Sequence, residues 1–344
     1  MWRSGGAISA SYLTIGWSVR SVGGVLATTG GLVALVLGVT LTVRASHGWR
    51  RLLAVPILVV AAYGIGSPVA ISVYATNVGR PPLGAETPAD RGLTYIDASF
   101  VTSDGVTNGV TLSGWYIPST NRAAVVLLHG ASSTRTSVLD HAAVLARHGY
   151  GVLLYDARGM GRSGGRAMNF GWYGDGDIAA AIDYLQTRSE VDPERIAAVG
   201  ETMDGEEAIG AMATDARLRS VVAEGATNRV AGDWTWLSDQ YGRRARIQQG
   251  IQWLTYELTD AFTEATPPIT LRDAVTRSRR PVLLIAAGNV GDEGHAARSI
   301  QSAAPATVEV WVVTGADHTG GLHTQPTEWE QRVSSFLSTA LTGE

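Results

Sequence analysis

The 344-residue sequence contains no cysteine and no lysine. Without cysteine there can be no disulfides, thiolate nucleophiles or cysteine-based metal sites, and the redox compartment is left undecided. Because lysine is absent, every one of the 27 cationic side chains is an arginine, which we attribute to GC-rich coding and not to function. Charge is also scarce, at 17% of residues. The net charge of -4, with an isoelectric point near 6.0, provides no basic stripe for nucleic acid.

Motifs for metals and nucleotides are missing as well. The seven histidines form no H-E-x-x-H pattern and have no closely spaced acidic partners. No G-x-G-x-x-G or P-loop pattern follows a predicted strand. The sequence therefore predicts a protein that uses neither a metal ion nor a nucleotide cofactor.

Apolar sequence is in excess near the N-terminus. Residues 22–43 and 52–76 carry no charged side chain, and about 20 such residues suffice to cross a bilayer as a helix. Arg44, Arg50 and Arg51 lie between the two runs, as expected of a short cytoplasmic loop. The pattern predicts a multi-pass protein of the cell membrane, held in the lipid bilayer, with its remaining domain outside the cytoplasm. A signal peptide is the alternative for the first run, and buried core helices are the alternative for both.

The predicted domain organisation follows from this pattern. A membrane anchor spans 1–78, a Pro- and Gly-rich linker spans 79–92, and a globular domain spans 93–344. Alternating apolar and polar residues at 94–101 and 110–117 predict an antiparallel hairpin. Continuous apolar runs, typical of parallel strands covered on both faces, follow at 123–130, 150–159, 195–201, 219–225, 280–288 and 308–315. The fold class is therefore α/β, with a mostly parallel sheet of about eight strands flanked by helices.

One segment interrupts the alternation of strands and helices. Residues 228–275 are too long for a simple crossover and are rich in aromatic residues, so they predict a cap inserted over the sheet. Trp234, Trp236, Trp253 and Tyr256 could line an apolar substrate pocket under this cap. The alternative is that these side chains pack the cap onto the body of the protein.

Polar and glycine-rich segments follow several of the predicted strands, where reacting groups gather in such sheets. They are LLHGASS, DARGMGRS, VGETMD, AAGNVGDEGH and VTGADHTGG. Their order resembles the α/β-hydrolase fold, and most closely its esterase/lipase and serine-aminopeptidase-like branch, from Thr94 to the C-terminus. The resemblance implies a hydrolase of carboxylic esters, with amides left open, that acts on a small-molecule substrate through an acyl-enzyme.

The nucleophile of this family stands in a G-x-S-x-G turn between a strand and a helix. The matching stretch here is VGETMDGEEAIG, which places Thr202 where the serine would be and Asp204 where the second glycine would be. A β-branched residue is poorly suited to a strained turn, and a carboxylate threatens the close packing of helix and sheet. Ser163 does lie in a G-x-S-x-G pattern, but no helix follows it. Whether Thr202 is a competent nucleophile stays open.

The resemblance also implies the partners of the nucleophile. His318, after the last strand, matches the general base, with His323 as the fallback. The acid that orients the histidine is Asp292 or Glu293, and Asp292 is preferred because it lies nearer the strand end. The alternative to an enzyme is a catalytically inactive protein of the same fold that binds a ligand or partner in its capped pocket.

The oxyanion hole is implied in the same way. The backbone N–H groups of Ala131 and Met203 match the family's donors, which stabilise the negative oxygen of the reaction intermediate. Glu206 and Glu207, on the helix after the turn, are predicted to pair with an arginine.

Overall fold

The structure is a computed structural model, which describes residues 50–102, 109–166 and 169–342 and a few positions between 33 and 48. The described residues form an eight-stranded sheet with the strand order β1-β2-β4-β3-β5-β6-β7-β8. The strands are β1 (Ile96–Val101), β2 (Thr111–Ile117), β3 (Ala124–Leu128), β4 (Gly151–Tyr155), β5 (Ile196–Glu201), β6 (Leu218–Glu224), β7 (Val282–Ala287) and β8 (Val308–Val313). β2 runs antiparallel to both of its neighbours, and the remaining pairs are parallel. The predicted hairpin and the mostly parallel sheet are confirmed.

Helices connect the strands. They are α1 (Arg50–Thr76), α2 (Leu139–Arg147), α3 (Gly174–Gln186), α4 (Thr202–Thr214), α5 (Trp236–Tyr241), α6 (Ala245–Phe262), α7 (Leu271–Ser278), α8 (Gly291–Ala303), α9 (Gly321–Thr324) and α10 (Pro326–Thr342). Short 3-10 turns lie at Pro88–Arg91, Arg135–Val138, Asn169–Gly171, Ala231–Thr235 and Gly242–Arg244. Each helix that follows a strand begins near the carboxyl edge of the sheet.

The core has two layers, one on each face of the sheet. Residues of α3, α4, α7 and α8 pack on one face, around Ile178, Ile209 and Val275. Residues of α2, α9 and α10 pack on the other, around Leu139 and the fully buried Trp329. Every residue of β3, β4 and β7 is buried, because these strands are covered on both sides. This explains why their sequences are continuous apolar runs.

The chain divides into two compact units. One contains the residues up to Asn77 together with Leu237–Thr266, and the other contains Val78–Trp236 and Pro267–Glu344. Within the first unit, the buried Ser72 hydroxyl of α1 donates a hydrogen bond of 2.7 Å to the Thr255 carbonyl of α6. The N-terminal helix therefore packs against a helix of the predicted cap.

The predicted membrane location is wrong. Among the residues that the structure describes, no helix is long and apolar enough to cross a membrane. The run 52–76 lies in α1, whose C-terminal part packs against protein through Ser72. Most of the run 22–43 lies outside the described residues. The bilayer partner and the extracytoplasmic placement depended on these two spans and are corrected with them.

Candidate active site

Thr202 occupies the turn between β5 and α4. Its φ angle is 46°, in the left-handed region that is costly for a β-branched residue. Strand and helix approach closely on either side of it, since a Cβ added at Gly200 would lie 2.8 Å from the Gly205 amide nitrogen. The turn thus has the sharp, strained geometry of a nucleophile elbow, with threonine at its tip.

The side chain of Thr202 faces the loop that follows β3. A Cβ added at Gly130 would lie 2.8 Å from Thr202 Cγ2, so only glycine fits beside this methyl group. Ala131 and Met203 are the residues that follow Gly130 and Thr202 in the chain. The contact therefore brings together the two loops that carry the predicted oxyanion donors, as an oxyanion hole requires.

His318 is held by Glu293. Its Nδ1 lies 2.6 Å from Glu293 Oε1, while Glu293 Oε2 accepts a 2.8 Å hydrogen bond from the Ala287 N–H at the end of β7. Glu293 is buried, whereas Asp292 is exposed to solvent. The hydrogen bond that His318 donates to Glu293 raises the pKa of His318 above its ordinary value. The geometry thus assigns the histidine to Glu293, the alternative acid, and not to the preferred Asp292.

His318 lies beside the elbow. β5 and β6 pair Glu201 with Glu224, so the residues that follow, Thr202 and Gly225, leave neighbouring strands side by side. A Cβ at Gly225 would lie 2.8 Å from His318 Cε1, which places the imidazole against Gly225. His318 therefore contacts the end of the strand that neighbours the elbow strand. In the described part of the chain, the hydrogen bond of His318 is to Glu293 and none joins it to Thr202.

Two other candidates have different surroundings. Ser163 is buried, where its hydroxyl donates to the Asp156 carbonyl at 2.5 Å and accepts from the Ser113 N–H at 2.9 Å. It braces loops and is not exposed as a nucleophile must be. His323, the fallback base, is exposed on α9. No group of three or more His, Asp or Glu side chains among the described residues is arranged to hold a metal ion.

Asp204 is buried next to His129. His129 Nε2 accepts the Ala157 N–H at 2.9 Å, so the imidazole proton is on Nδ1, which lies 2.9 Å from the Gly130 carbonyl. Asp204 Oδ2 lies 3.7 Å from the same Nδ1, and within the described residues Asp204 Oδ1 has no hydrogen-bond partner. Burial, and then the nearby Glu201, raise the pKa of Asp204 well above its ordinary value. Asp204 is therefore harder to ionise than an ordinary aspartate.

Glu206 connects the elbow helix to the loop after β6. Its Oε1 accepts hydrogen bonds from the Thr227 and Asn228 N–H groups at 2.8 and 2.9 Å. Burial raises the pKa of Glu206 to about 7. Arg229 lowers this pKa, but its guanidinium forms its 2.7 Å ion pair with Asp175. Glu206 is thus near the arginine, as predicted, but among the described residues it forms no direct ion pair with Arg229.

The predicted substrate-binding aromatics belong to different units. Trp234 and Trp236 stack with ring centroids 6.3 Å apart, and His295 of α8 continues the stack 6.2 Å from Trp236. His295 lies on the same helix as Glu293, two residues further along the chain. Trp253 is exposed and Tyr256 is buried, both on α6 of the other unit. Substrate binding by all four residues stays a prediction.

Glu201, the last residue of β5, has no role in the sequence-based prediction. It is 14% exposed, and burial together with Glu224 raises its pKa to about 8. Its sequence position directly before Thr202 is the feature that could have identified it.

Comparisons with known proteins find hydrolases among the proteins similar to this chain. A family model for serine aminopeptidases, S33, matches residues 119–239. An uncharacterized protein of Mycobacterium tuberculosis is 34% identical over 142 residues, which cover 40% of this chain and 47% of that protein. A thiohydrolase of Aspergillus aculeatus is 32% identical over 133 residues, which cover 38% of this chain and 41% of the thiohydrolase. The chain thus spans less than half the length of these curated relatives.

Solved structures match a larger part of the chain. An esterase of Pyrococcus furiosus is 26% identical with a TM-score of 0.58, over 77% of this chain and 98% of the esterase. An α/β-hydrolase of Penicillium has a TM-score of 0.54 at 19% identity, over 72% of this chain and 99% of that one, which is evidence of fold alone. Together with the strand order, these similarities show that the chain has the α/β-hydrolase fold.

Proposed function

We propose that this chain, which has the α/β-hydrolase fold, hydrolyses carboxylic esters through an acyl-enzyme, with Thr202 as nucleophile, His318 as general base and Glu293 as the orienting acid. The observation that carries the proposal is the 2.6 Å contact between His318 Nδ1 and Glu293 Oε1 beside the elbow. A buried carboxylate on Nδ1 fixes the imidazole and leaves Nε2 to exchange a proton with the nucleophile.

The reaction divides into two halves. In the first, Thr202 Oγ1 bonds to the ester carbonyl carbon while its proton passes to His318 Nε2, and the carbonyl oxygen becomes an oxyanion held by the Ala131 and Met203 N–H groups. The C–O bond to the alcohol then breaks and His318 returns the proton to the leaving oxygen. In the second half, water gives a proton to His318 and bonds to the acyl carbon. The bond from that carbon to Thr202 Oγ1 then breaks and His318 returns the proton to Oγ1, which releases the acid and restores Thr202.

Threonine makes this nucleophile a slow one. Its left-handed φ is strained, and its methyl group is in contact with Gly130 in the loop that should hold the oxyanion. An ester has a better leaving group than an amide, so esters are the substrates that a weakened nucleophile can still cleave. The names of the relatives, an esterase and a thiohydrolase, support acyl transfer to water as the reaction class.

Turnover of a short-chain p-nitrophenyl ester by the purified protein tests the proposal. His318→Ala removes the base and should abolish turnover, whereas the control His323→Ala, on an exposed histidine, should leave the rate unchanged. Turnover that survives His318→Ala would remove His318 from the reaction. No turnover by the wild type or by Thr202→Ser would identify the protein as a catalytically inactive member of the fold.

A further inference from the structure

The carboxyl group of Glu201 lies between the oxyanion loop and α2. A Cβ added at Gly130 would lie 3.8 Å from Glu201 Cβ and 3.9 Å from Glu201 Oε2. On the other side, Glu201 Oε1 lies 3.6 Å from Nε2 of His141. Any charge on this carboxyl therefore acts directly on the site where the oxyanion would form.

Glu224 is the partner of Glu201 on the neighbouring strand, and it is held as a carboxylate. Its Oε1 accepts the Gly321 N–H at 2.6 Å, and its Oε2 accepts the indole N–H of Trp329 at 3.0 Å. Both oxygens are thus occupied as acceptors, which is the arrangement of an ionised carboxyl group. Burial raises the pKa of Glu224 and these two hydrogen bonds act to lower it, so of the two neighbouring carboxyls Glu224 is the one that donors stabilise as an anion.

The other groups that face Glu201 cannot neutralise a second charge. His141 of α2 is buried, and burial lowers its pKa to about 4, so its imidazole is neutral. Asp204 of α4, three residues after Glu201 in the chain, supplies no positive charge. His318 and the Gly130 amide favour the ionised form, but burial and the charge of Glu224 outweigh them, and the pKa of Glu201 rises to about 8.

We propose that Glu201 is a positioning residue that holds a proton at neutral pH and thereby keeps negative charge away from the oxyanion formed beside Thr202. The inference rests on the proposed function for its catalytic consequence. Glu201 does not attack or protonate the substrate. It acts instead on two neighbours. One is Gly130, in the loop that holds the oxyanion, and the other is His318, whose pKa a negative charge on Glu201 would raise.

The consequence is an alkaline limit on the reaction. Loss of the Glu201 proton places a negative charge beside the oxyanion. The same charge makes His318 a weaker acid, which donates its proton less readily to the leaving group. Therefore kcat/KM should fall above about pH 8. In a hydrolase whose pH dependence came only from the histidine, kcat/KM would instead stay constant above the pKa of that histidine.

The pH dependence of ester turnover, measured in the faster Thr202→Ser background, tests this directly. Glu201→Gln keeps the size of the side chain without an ionisable group, so its rate at pH 7 should stay within about twofold and its alkaline decline should disappear. Glu309→Gln, at an exposed position of β8, should keep the decline. An alkaline decline that persists in Glu201→Gln would overturn the proposal.

A second measurement does not depend on turnover. The imidazole resonances of His318, assigned by comparison with His318→Ala, should show its own titration and a second inflection near pH 8 that Glu201→Gln removes. If the second inflection is missing from the wild type, the proton assignment is overturned without use of any variant. If it is present and lost in Glu201→Gln while no ester is turned over, the assignment stands and the proposed function falls.

Discussion

Thr202 combines a strained backbone with a crowded side chain, and both disadvantages come from one methyl group. Thr202→Ser removes the methyl that contacts Gly130, and serine tolerates a φ of 46° better because it is not β-branched. Asp204→Gly restores the second glycine of the elbow. We expect the double variant to hydrolyse ester at least about tenfold faster than the wild type, which corresponds to about 1.4 kcal/mol of barrier.

Labelling of residue 202 by a fluorophosphonate probe provides the matching readout, because the probe reacts only with an activated hydroxyl. The single variants separate the two effects, which need not add because the residues are neighbours. A double variant that is well folded but neither labels nor turns over ester would show that the elbow or His318 is misassigned.

The identity of the acid is tested by a matched pair of variants. Glu293→Gln keeps the shape of the buried side chain but removes the charge that holds His318, so we expect turnover to fall by about 100-fold or more. The pKa of His318 should also fall, because the hydrogen bond that it donates to Glu293 is the largest cause of its rise. Asp292→Asn, at the exposed neighbouring position, should change neither quantity. The reverse pattern would restore Asp292 as the acid.

At the scale of elements, the choice between Asp292 and Glu293 shows what the sequence could and could not predict. Apolar runs identified the strands, because burial on both faces leaves no alternation in their sequences. The loop after β7 was identified in the same way. Which of two adjacent acids faces inward depends on where α8 begins, and the helix starts at Gly291 so that Glu293 turns toward the sheet while Asp292 faces solvent. Sequence spacing alone does not determine that rotation.

For the N-terminal helix, the sequence predicted the helix but not what the helix packs against. Its apolar composition is equally suited to lipid and to protein, and composition does not reveal the partner. The hydrogen bond from Ser72 to the Thr255 carbonyl identifies α6 as a protein partner for the C-terminal part of α1. Long-range packing of this kind, over a separation of 183 residues, leaves no local pattern in the sequence.

Packing of α1 on α6 leads to a prediction for the cap helix. Deletion of residues 1–77 should expose the buried positions of α6, including Ile251, Thr255 and Tyr256, and should raise amide hydrogen exchange over Ala245–Phe262. Exchange in β3 and β7 should stay slow, because the core of the sheet contains no residue from the deleted segment. Unchanged exchange in α6 would show that α1 does not stabilise it.

For the whole molecule, the unusual feature is a set of buried acids whose pKa values are raised by burial. Burial raises the pKa of Glu201 to about 8 and that of Glu206 to about 7, and it raises the pKa values of Asp204 and Glu207 well above their ordinary range. In the unfolded chain these groups titrate at about pH 4. Above that pH the folded protein therefore binds more protons than the unfolded chain, so the free energy of unfolding decreases as pH rises.

Two buried histidines limit this dependence of stability on pH to the range above about pH 6.5. Burial lowers the pKa of His129 and that of His141, so below about pH 6.5 the unfolded chain gains protons that the folded state does not take up. That contribution makes the protein less stable on further acidification. His318, with a raised pKa, adds to the trend of the acids, because its contribution is lost as pH rises. The predicted trend is therefore clearest between about pH 6.5 and 8.

We expect the thermal midpoint to be about 5 °C higher at pH 6.5 than at pH 8, because each proton held only by the folded state changes the free energy of unfolding by about 1.4 kcal/mol per pH unit. Asp204→Asn keeps the buried shape without an ionisable group, so it should stabilise the protein most at pH 8 and flatten the trend. Glu309→Gln, at an exposed position, should leave the trend unchanged. Thermal melts followed by circular dichroism at matched ionic strength provide the measurement. A midpoint that rises from pH 6.5 to 8 would mean that these carboxyls are ionised in the folded protein, and that charges on the elbow helix are compensated by groups other than those the structure places around it.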